Sequence, residues 1–284
     1  MTFRLGCAVW AYKDWIGELF PPGSRATDFL PLYSRRFTSV EGNTTFYSIP
    51  DPATVQRWAA ATPAGFKFCP KLPRSLTHQG ALAPMLPQTR DFLQRMQGLG
   101  DRLGCVFAQL PPRYSPAALE DLSQFLVGFP HPEVALGIEV RHLDWFQPIH
   151  AERLNQLLAR FGVARVLLDT RPIYECEDDP QRESERRKPR VPLQPVVTAP
   201  FTVIRYISHP DRQLNQPYLN GWASQVQTWL QQGQEIYFFV HCPIESHSPG
   251  TARWFQHQLE QQFIPVPPLP WDSVDPPTSQ LSLF

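Results

Sequence analysis

Short apolar runs rich in β-branched and aromatic residues recur along the chain, and each has the length of a β-strand. The runs are nearly continuous rather than alternating, which is typical of parallel strands covered on both faces. We predict eight strands from them, at Arg4–Val9, Phe37–Glu41, Gly65–Lys71, Cys105–Gln109, Ala135–Val140, Ala164–Asp169, Phe201–Tyr206 and Glu235–His241.

Amphipathic helical patterns separate the predicted strands. Asp51-Pro52 and Ser115-Pro116 each combine an N-cap residue with a proline at the first helical position. Apolar stripes at helical spacing follow, and two of these stripes end at a glycine, which predicts a C-terminal cap. The last helix is predicted from a stripe of Phe255, Leu259 and Phe263.

Eight strands that alternate with helices predict an α/β fold, a (β/α)8 TIM-type barrel that forms a single domain over residues 1–264. A doubly wound open sheet is the alternative. Such a sheet usually carries a glycine-rich phosphate loop after its first strand. The corresponding segment here, Trp10–Trp15, contains no glycine, so the barrel is favoured.

Two segments interrupt the regular alternation. Glu175–Arg190, between the sixth and seventh strands, contains six acidic and five basic residues, and prolines follow at 192, 195 and 200. This composition predicts a mobile, solvated charged loop over residues 175–200 in place of a regular helix, and an arm that contacts phosphate is the alternative. The tail at 265–284 has prolines at 265, 267, 268, 270, 276 and 277, and we expect it to be extended.

Composition excludes several classes of protein. Lys and Arg total 26, as do Asp and Glu, so the chain lacks the broad positive field of a general nucleic-acid coat. No stretch approaches the roughly 20 apolar residues of a membrane helix, and Met1–Trp10 does not resemble a signal peptide. Five cysteines without Cys-x-x-Cys spacing favour free thiols in a cytoplasmic protein. We expect a monomer that does not associate with membranes.

Polar groups follow nearly every predicted strand, at the end where barrel enzymes place their active sites. Burying such groups without partners costs several kcal/mol, so a ring of them predicts a polar cavity that holds a ligand. A mutually satisfied salt-bridge network is the structural alternative. The candidates for catalysis are Glu41, Glu139, Asp169 and His241, and the candidates for substrate binding are Trp10, Tyr12, Asn43, Lys71, His78, Gln109, Arg141, Arg205 and His209.

This ring is compatible with several reactions. The four catalytic candidates could hold a divalent metal, although zinc-type spacing is absent. Lys71, Arg141 and Arg205 could hold a phosphate or a carboxylate. Lys71 as a Schiff-base nucleophile and Glu41 with Glu139 as a glycosidase pair are further alternatives. The aromatic residues that follow strands one, two and five could stack on a base or a sugar, or could cap the core.

Several of these strand-end phrases resemble the YecE-like family, domain of unknown function 72. The resemblance is colinear from about residue 5 to residue 263. Its most specific phrases are Glu41-Gly42-Asn43-Thr44-Thr45-Phe46-Tyr47 and Gln109-Leu110-Pro111-Pro112, and further matches are Leu5–Tyr12, Phe66–Lys71, Thr77-His78, Glu139–His142 with Trp145, and Asp169. The end of strand eight departs from the common family pattern, because His241-Cys242-Pro243-Ile244-Glu245 stands where asparagines and a glycine turn are frequent.

The resemblance implies a TIM-type barrel, and it supplies no established reaction. The barrel is similar to that of endonuclease IV and the xylose-isomerase-like enzymes, which suggests abasic-site or other phosphodiester chemistry by analogy of fold.

The last five residues, Gln280-Leu281-Ser282-Leu283-Phe284, resemble the pentapeptide that binds the bacterial DNA polymerase sliding clamp. An extended tail would bring Leu281, Leu283 and Phe284 to an apolar pocket, while Gln280 forms hydrogen bonds. Docking of the same side chains back onto the barrel is the alternative.

Our leading hypothesis from the sequence is a DNA-associated hydrolase that cleaves phosphodiesters or abasic sites, is assisted by a metal, and is recruited by the clamp. The alternatives are an enzyme that acts on a sugar or phosphosugar in the same cavity, and a binding module without catalysis.

Overall fold

The computed structural model describes residues 2–131, 133–182, 184 and 187–273. In these residues the chain forms β-strands that alternate with α-helices. The strands are β1 Thr2–Cys7, β2 Ser39–Gly42, β3 Lys67–Pro70, β4 Val106–Gln109, β5 Leu136–Glu139, β6 Ala164–Arg165, β7 Leu167–Asp169, β8 Phe201–Ile207 and β9 Glu235–His241. The helices are α1 Ala26–Ser34, α2 Thr44–Tyr47, α3 Pro52–Ala60, α4 Arg74–Thr77, α5 Leu86–Met96, α6 Leu119–Gly128, α7 Pro148–Arg160, α8 Gln216–Gln231 and α9 Ser248–Gln261.

Every strand pair in the described residues is parallel, as predicted. The strands form three sheets with the orders β1-β9-β8-β7, β2-β3 and β4-β5-β6. The predicted sixth strand is divided at Val166: its first half pairs with β5 and its second half pairs with β8. Isolated bridges between Phe68 and Leu103 and between Lys71 and Phe107 connect β3 to β4.

A tyrosine hydroxyl connects β1 to β2. Tyr33 lies on α1, and its hydroxyl accepts a hydrogen bond from the Cys7 amide at 2.6 Å and donates to the Ser39 carbonyl at 3.1 Å. The Thr38 amide also donates to the Leu5 carbonyl at 3.2 Å. The two backbones approach so closely that a methyl group on Gly6 would lie 2.0 Å from the Ser39 carbonyl oxygen.

The helix signals in the sequence are borne out at most positions. The Asp51 carboxylate accepts from the Thr54 amide at 2.6 Å and caps α3, and both predicted C-terminal glycines have positive φ. A 3-10 turn separates Ser115 from α6. Phe263 does not belong to the apolar face of α9, because the helix ends at Gln261 and the Phe263 side chain is 92% exposed.

Two large apolar clusters and a third of four buried residues hold the elements together. The larger cluster lies between the strands and the surrounding helices. The smaller cluster joins residues of β3, β4, β6, β8 and β9, and it includes Cys69, Phe107, Val203 and Phe239. None of the helices in the described ranges is both long and apolar enough to cross a membrane.

The contact at Gly6 leads to a stability prediction. We expect Gly6→Ala to lower the free energy of unfolding by about 3 kcal/mol, because the new methyl group overlaps a backbone atom that cannot rotate away. Denaturant-induced unfolding of both proteins measures the difference.

Gly221→Ala is the matched control. This residue lies inside α8 with nothing within 4 Å of the added methyl group, so alanine should raise the stability by about 0.5–1 kcal/mol. An equal effect of the two substitutions would contradict the proposed close approach of β1 and β2.

Candidate functional site

Polar side chains lie at one end of the smaller apolar cluster, because residues two positions apart on a strand point to the same face. Cys69, Phe107, Val203 and Phe239 belong to that cluster. Two residues further along the same strands, and therefore on the same face, stand Lys71, Gln109, Arg205 and His241. The pattern of strand-end polar residues in the sequence thus becomes a layer of polar side chains above an apolar one.

Arg205 is the centre of this layer and is almost fully buried. Its guanidinium binds Glu41 through two hydrogen bonds, from Nε to Oε2 and from Nη2 to Oε1, both at 2.8 Å. Its Nη1 donates to Glu139 Oε2 at 2.6 Å, so one cation joins the ends of β2, β5 and β8. His241 Nε2 lies 2.8 Å from the Oε2 atom of Glu41.

A second chain of hydrogen bonds leads from Glu139 to Lys71. Arg141 Nε donates to Glu139 Oε1 at 2.6 Å, and Arg141 Nη2 donates to Gln109 Oε1 at 2.5 Å. The Lys71 ammonium donates to the same Gln109 oxygen at 2.6 Å and stands 4.1 Å from the centre of the Phe46 ring. Gln109 therefore holds two cations beside each other at the ends of β3 and β4.

The network fixes the charge states of its members. Arg205 and His241 hold the pKa of Glu41 well below its usual range against the opposing effect of burial. Arg141, Arg205 and Lys71 lower the pKa of Glu139 to about 2. Burial lowers the pKa of His241 to about 4, so this imidazole is neutral at pH 7. The ion pairs of Glu41 and Glu139 stabilise the fold above pH 4.5, and this contribution is lost as the pH falls toward 2.

A cavity of about 520 Å³ opens above this network. Several loops that follow the strands surround it, together with residues 187–189 of the segment between β7 and β8. It is lined by Ala8, Val9, Ala11, Tyr12, Asn43, Phe46, Tyr47, Lys71, Arg74, His78, Gln109, Arg141, Arg187, Lys188, Pro189, Arg205, His241 and Glu245. Eight of the predicted site residues are among them, namely Tyr12, Asn43, Lys71, His78, Gln109, Arg141, Arg205 and His241.

Five predicted site residues do not line the cavity. Glu41 and Glu139 lie beneath it, bound to Arg205. Asp169 is buried and accepts hydrogen bonds from Arg171 and from Trp222 Nε1, the latter at 2.8 Å. Trp10 packs edge-on against Trp58 with ring centroids 5.0 Å apart, so it caps the core. His209 lies 3.0 Å from the Asp178 carboxylate.

The four catalytic candidates therefore do not converge on a metal ion. The Arg205 guanidinium occupies the space between Glu41 and Glu139, and Asp169 is held by different partners. A cation placed between the two glutamates would have to displace a buried arginine. The geometry corrects the metal-binding hypothesis for this set of residues.

Cys176, Asp178 and His209 are a second group of metal-ligating side chains, with ligand atoms within 4.8 Å of one another. The hydrogen bonds of His209 oppose metal binding. The Asp211 amide donates to His209 Nδ1 at 2.9 Å, so Nδ1 carries no proton and Nε2 carries it toward Asp178. A metal on Nε2 would require the other tautomer. The arrangement is an ordinary histidine–carboxylate hydrogen bond.

Sequence reasoning missed four charged residues of the cavity: Arg74, Arg187, Lys188 and Glu245. None of them ends a strand. Arg187 and Lys188 come from the charged segment at 175–190, for which the sequence favoured a solvated loop over an arm that contacts phosphate. The clamp-binding candidates Gln280, Leu281, Leu283 and Phe284 lie outside the described residues.

Arg205 provides a test of the network. We expect Arg205→Met to lower the free energy of unfolding by about 3–5 kcal/mol at pH 7, because Glu41 stays buried without its arginine and Glu139 keeps only Arg141. Arg153→Met, at an exposed position of α7, is the control and should change the stability by less than about 0.5 kcal/mol.

The pH dependence should also change sign. Without Arg205, burial raises the pKa of Glu41 above its unfolded value, so the variant gains stability as the pH falls from 7 to 5. A variant that keeps the stability of the parent protein at pH 7 would contradict the role of Arg205.

The chain is similar to proteins of one family over nearly its whole length. The family model described as protein of unknown function DUF72 matches residues 4–274. The UPF0759 protein YecE of Escherichia coli (strain K12) is 33% identical over 275 residues, which cover 95% of this chain and 98% of that protein.

Solved structures show the same fold. A DUF72 family protein from Thermotoga maritima MSB8 matches with a TM-score of 0.68 at 19% identity, covering 93% of this chain and 99% of that one. A DUF72 family protein from Enterococcus faecalis V583 matches with a TM-score of 0.67 at 18% identity, covering 92% and 94% of the two chains. By its family model and its similarity to YecE, this chain belongs to the DUF72 family.

Proposed function

We propose that the cavity binds a phosphate group and that the protein hydrolyses a small phosphate ester of the size of a phosphosugar. The observation that carries this proposal is the excess of cationic side chains around one cavity. Six cationic residues line it, and they are Lys71, Arg74, Arg141, Arg187, Lys188 and Arg205.

The negative charges near the cavity are too few to balance these cations. Glu41 and Glu139 offset Arg205 and Arg141 below the cavity. Asp179 pairs with Arg187 at the rim, and Glu245 is the acidic residue among those that line the cavity. Burial lowers the pKa of Lys71 well below its usual range and also lowers that of Lys188, so a bound anion would favour their charged forms, and guanidinium groups suit the oxygens of a phosphate.

The size and the walls of the cavity favour a small ligand. Its volume of about 520 Å³ lies within the range of small-molecule sites. Tyr12, Phe46 and Tyr47 provide aromatic surface beside the cations. A sugar ring could lie against these side chains while its phosphate contacts Lys71 and Arg74.

We propose in addition that the strands form a closed barrel. Three features support one closed (β/α)8 barrel: the pairing of β1 with β9, the bridges between β3 and β4, and the division of the sixth strand between two sheets.

All five cysteines are free thiols, which supports a cytoplasmic location.

A phosphodiester of DNA is the second candidate substrate, and the C-terminal pentapeptide Gln280–Phe284 favours it. For this second candidate, the same cationic side chains would contact the DNA backbone, and the C-terminal pentapeptide would bind the sliding clamp.

Binding measurements test the phosphate proposal. We expect inorganic phosphate and phosphorylated sugars to raise the Tm of the full chain, whereas the unphosphorylated sugars do not. Arg74→Ala should weaken phosphate binding about tenfold, because it removes one charged contact. Arg153→Ala is the matched control. Calorimetry that detects no binding of any phosphorylated compound would refute the proposal.

Clamp binding tests the second candidate. The full chain should bind an immobilised bacterial sliding clamp with micromolar affinity, and a chain that lacks Gln280–Phe284 should not. Equal binding, or no binding, by the two forms would remove the support for DNA as substrate.

A further inference from the structure

Glu245 stands apart from the other carboxylates of the site. It follows β9 by four residues, opens the 3-10 turn Glu245–His247, and lines the cavity. Its own backbone is held in place, because the indole Nε1 of the buried Trp15 donates to the Glu245 carbonyl at 3.1 Å. The carboxyl group therefore projects from a fixed position in the wall.

The hydrogen bonding of this carboxyl group is incomplete. Both oxygens of Glu41 and both oxygens of Glu139 accept hydrogen bonds from arginines. Glu245 Oε1, by contrast, is buried and has no hydrogen-bond partner within the described part of the chain. A buried polar atom without a partner is costly, so it indicates a group that receives its partner from elsewhere. In a ligand cavity, that partner is a bound molecule.

The surroundings of Glu245 set its charge. The groups that face it are Cys7 of β1, Tyr12 of the following loop, Tyr33 of α1, Glu41 of β2, Lys188 of the segment before β8, Cys242 after β9, and Ser248 of α9. Lys188 and hydrogen bonds from the Ser248 side chain and the Cys242 backbone favour the ionised carboxylate, while burial and Glu41 oppose it. Burial has the largest effect and raises the pKa of Glu245 to about 7.

We propose that Glu245 is the catalytic acid–base residue of the cavity and exchanges a proton with the substrate that the cationic side chains hold. This inference rests on the proposed hydrolysis of a phosphate ester. When the bond from phosphorus to the ester oxygen breaks, the protonated carboxyl gives its proton to the departing oxygen. The water molecule that bonds to phosphorus releases a proton, which restores the carboxyl group.

The other carboxyl groups and the imidazoles of the site are less suited to this role. Glu41 and Glu139 stay ionised at neutral pH because their pKa values are lowered. His78 and His241 stay neutral because the pKa of each is about 4. A group that transfers protons works best when its pKa lies near the working pH, and Glu245 meets that condition.

Titration of Glu245 is the first part of the test. The full chain is labelled with ¹³C at the glutamate carboxyl carbons, and its NMR spectrum is recorded from pH 4 to pH 9. We expect one resonance to titrate near pH 7 and to be missing from Glu245→Gln. Glu133→Gln, at an exposed position, is the control and should keep that resonance. A spectrum in which every glutamate titrates below pH 5.5 would overturn the inference.

Activity is the second part, measured as phosphate release from glucose 6-phosphate, whose alkoxide leaving group needs a proton, and with inorganic phosphate as the binding probe. Glu245→Gln should bind phosphate within about threefold of the parent, because the cations are intact, and should lower kcat by about 100-fold or more. In Glu245→Gln, the decline of kcat above pH 7 should also disappear. Glu245→Asp should retain part of the activity, since it keeps an ionisable carboxyl.

The two proposals fail in different ways. If the parent hydrolyses the ester and Glu245→Gln retains its kcat, the role of Glu245 is refuted and phosphate hydrolysis stands. If the parent neither binds phosphate nor hydrolyses the ester, the proposed function is refuted, and the acid–base role falls with it.

Discussion

The buried arginine between two glutamates is the interaction on which the rest of the site depends. Removing ions from water costs several kcal/mol for each ion, and only close, complete pairing compensates for that cost. Arg205 achieves such pairing by binding Glu41 with two nitrogens and Glu139 with the third. Because these three residues lie within the last three positions of β2, β5 and β8, the ion pairs also fix the relative positions of the strand ends.

The consequence for chemistry is a separation of the site into two levels. The lower level is a nearly neutral layer in which carboxylates and guanidinium groups satisfy one another. The upper level contains Lys71, Arg74 and Lys188 around an open cavity, and there the basic side chains outnumber the acidic ones. The salt-bridge network that the sequence left open as an alternative therefore describes the lower level. The ligand-binding alternative describes the upper one, and both are present in the same ring of residues.

The sequence predicted the parts of the molecule that follow from local pattern. Strand positions, the Asp51 cap and the residues that end strands are all encoded within a few neighbouring residues. The division of the sixth strand at Val166 is not, because it depends on which neighbours each half pairs with. The same limit explains why Glu41 and Glu139 were predicted as catalytic. Their position at strand ends is local information, whereas their pairing with Arg205 is a long-range contact.

Lys188 and Glu245 are cavity residues that the sequence patterns did not predict. Both belong to irregular segments in which periodicity carries no signal, and their proximity to the cavity arises only from the path of the chain.

The connection between β1 and β2 has a consequence for the dynamics of the protein. At this connection the Cys7 amide is bonded to a phenol rather than to a carbonyl of the adjacent strand. Exchange of that amide proton with solvent therefore requires the Tyr33 side chain to move, and α1 carries that side chain. Motions of an outer helix are in this way transmitted to the inner strands next to the cavity, and hydrogen exchange at Cys7 reports on them.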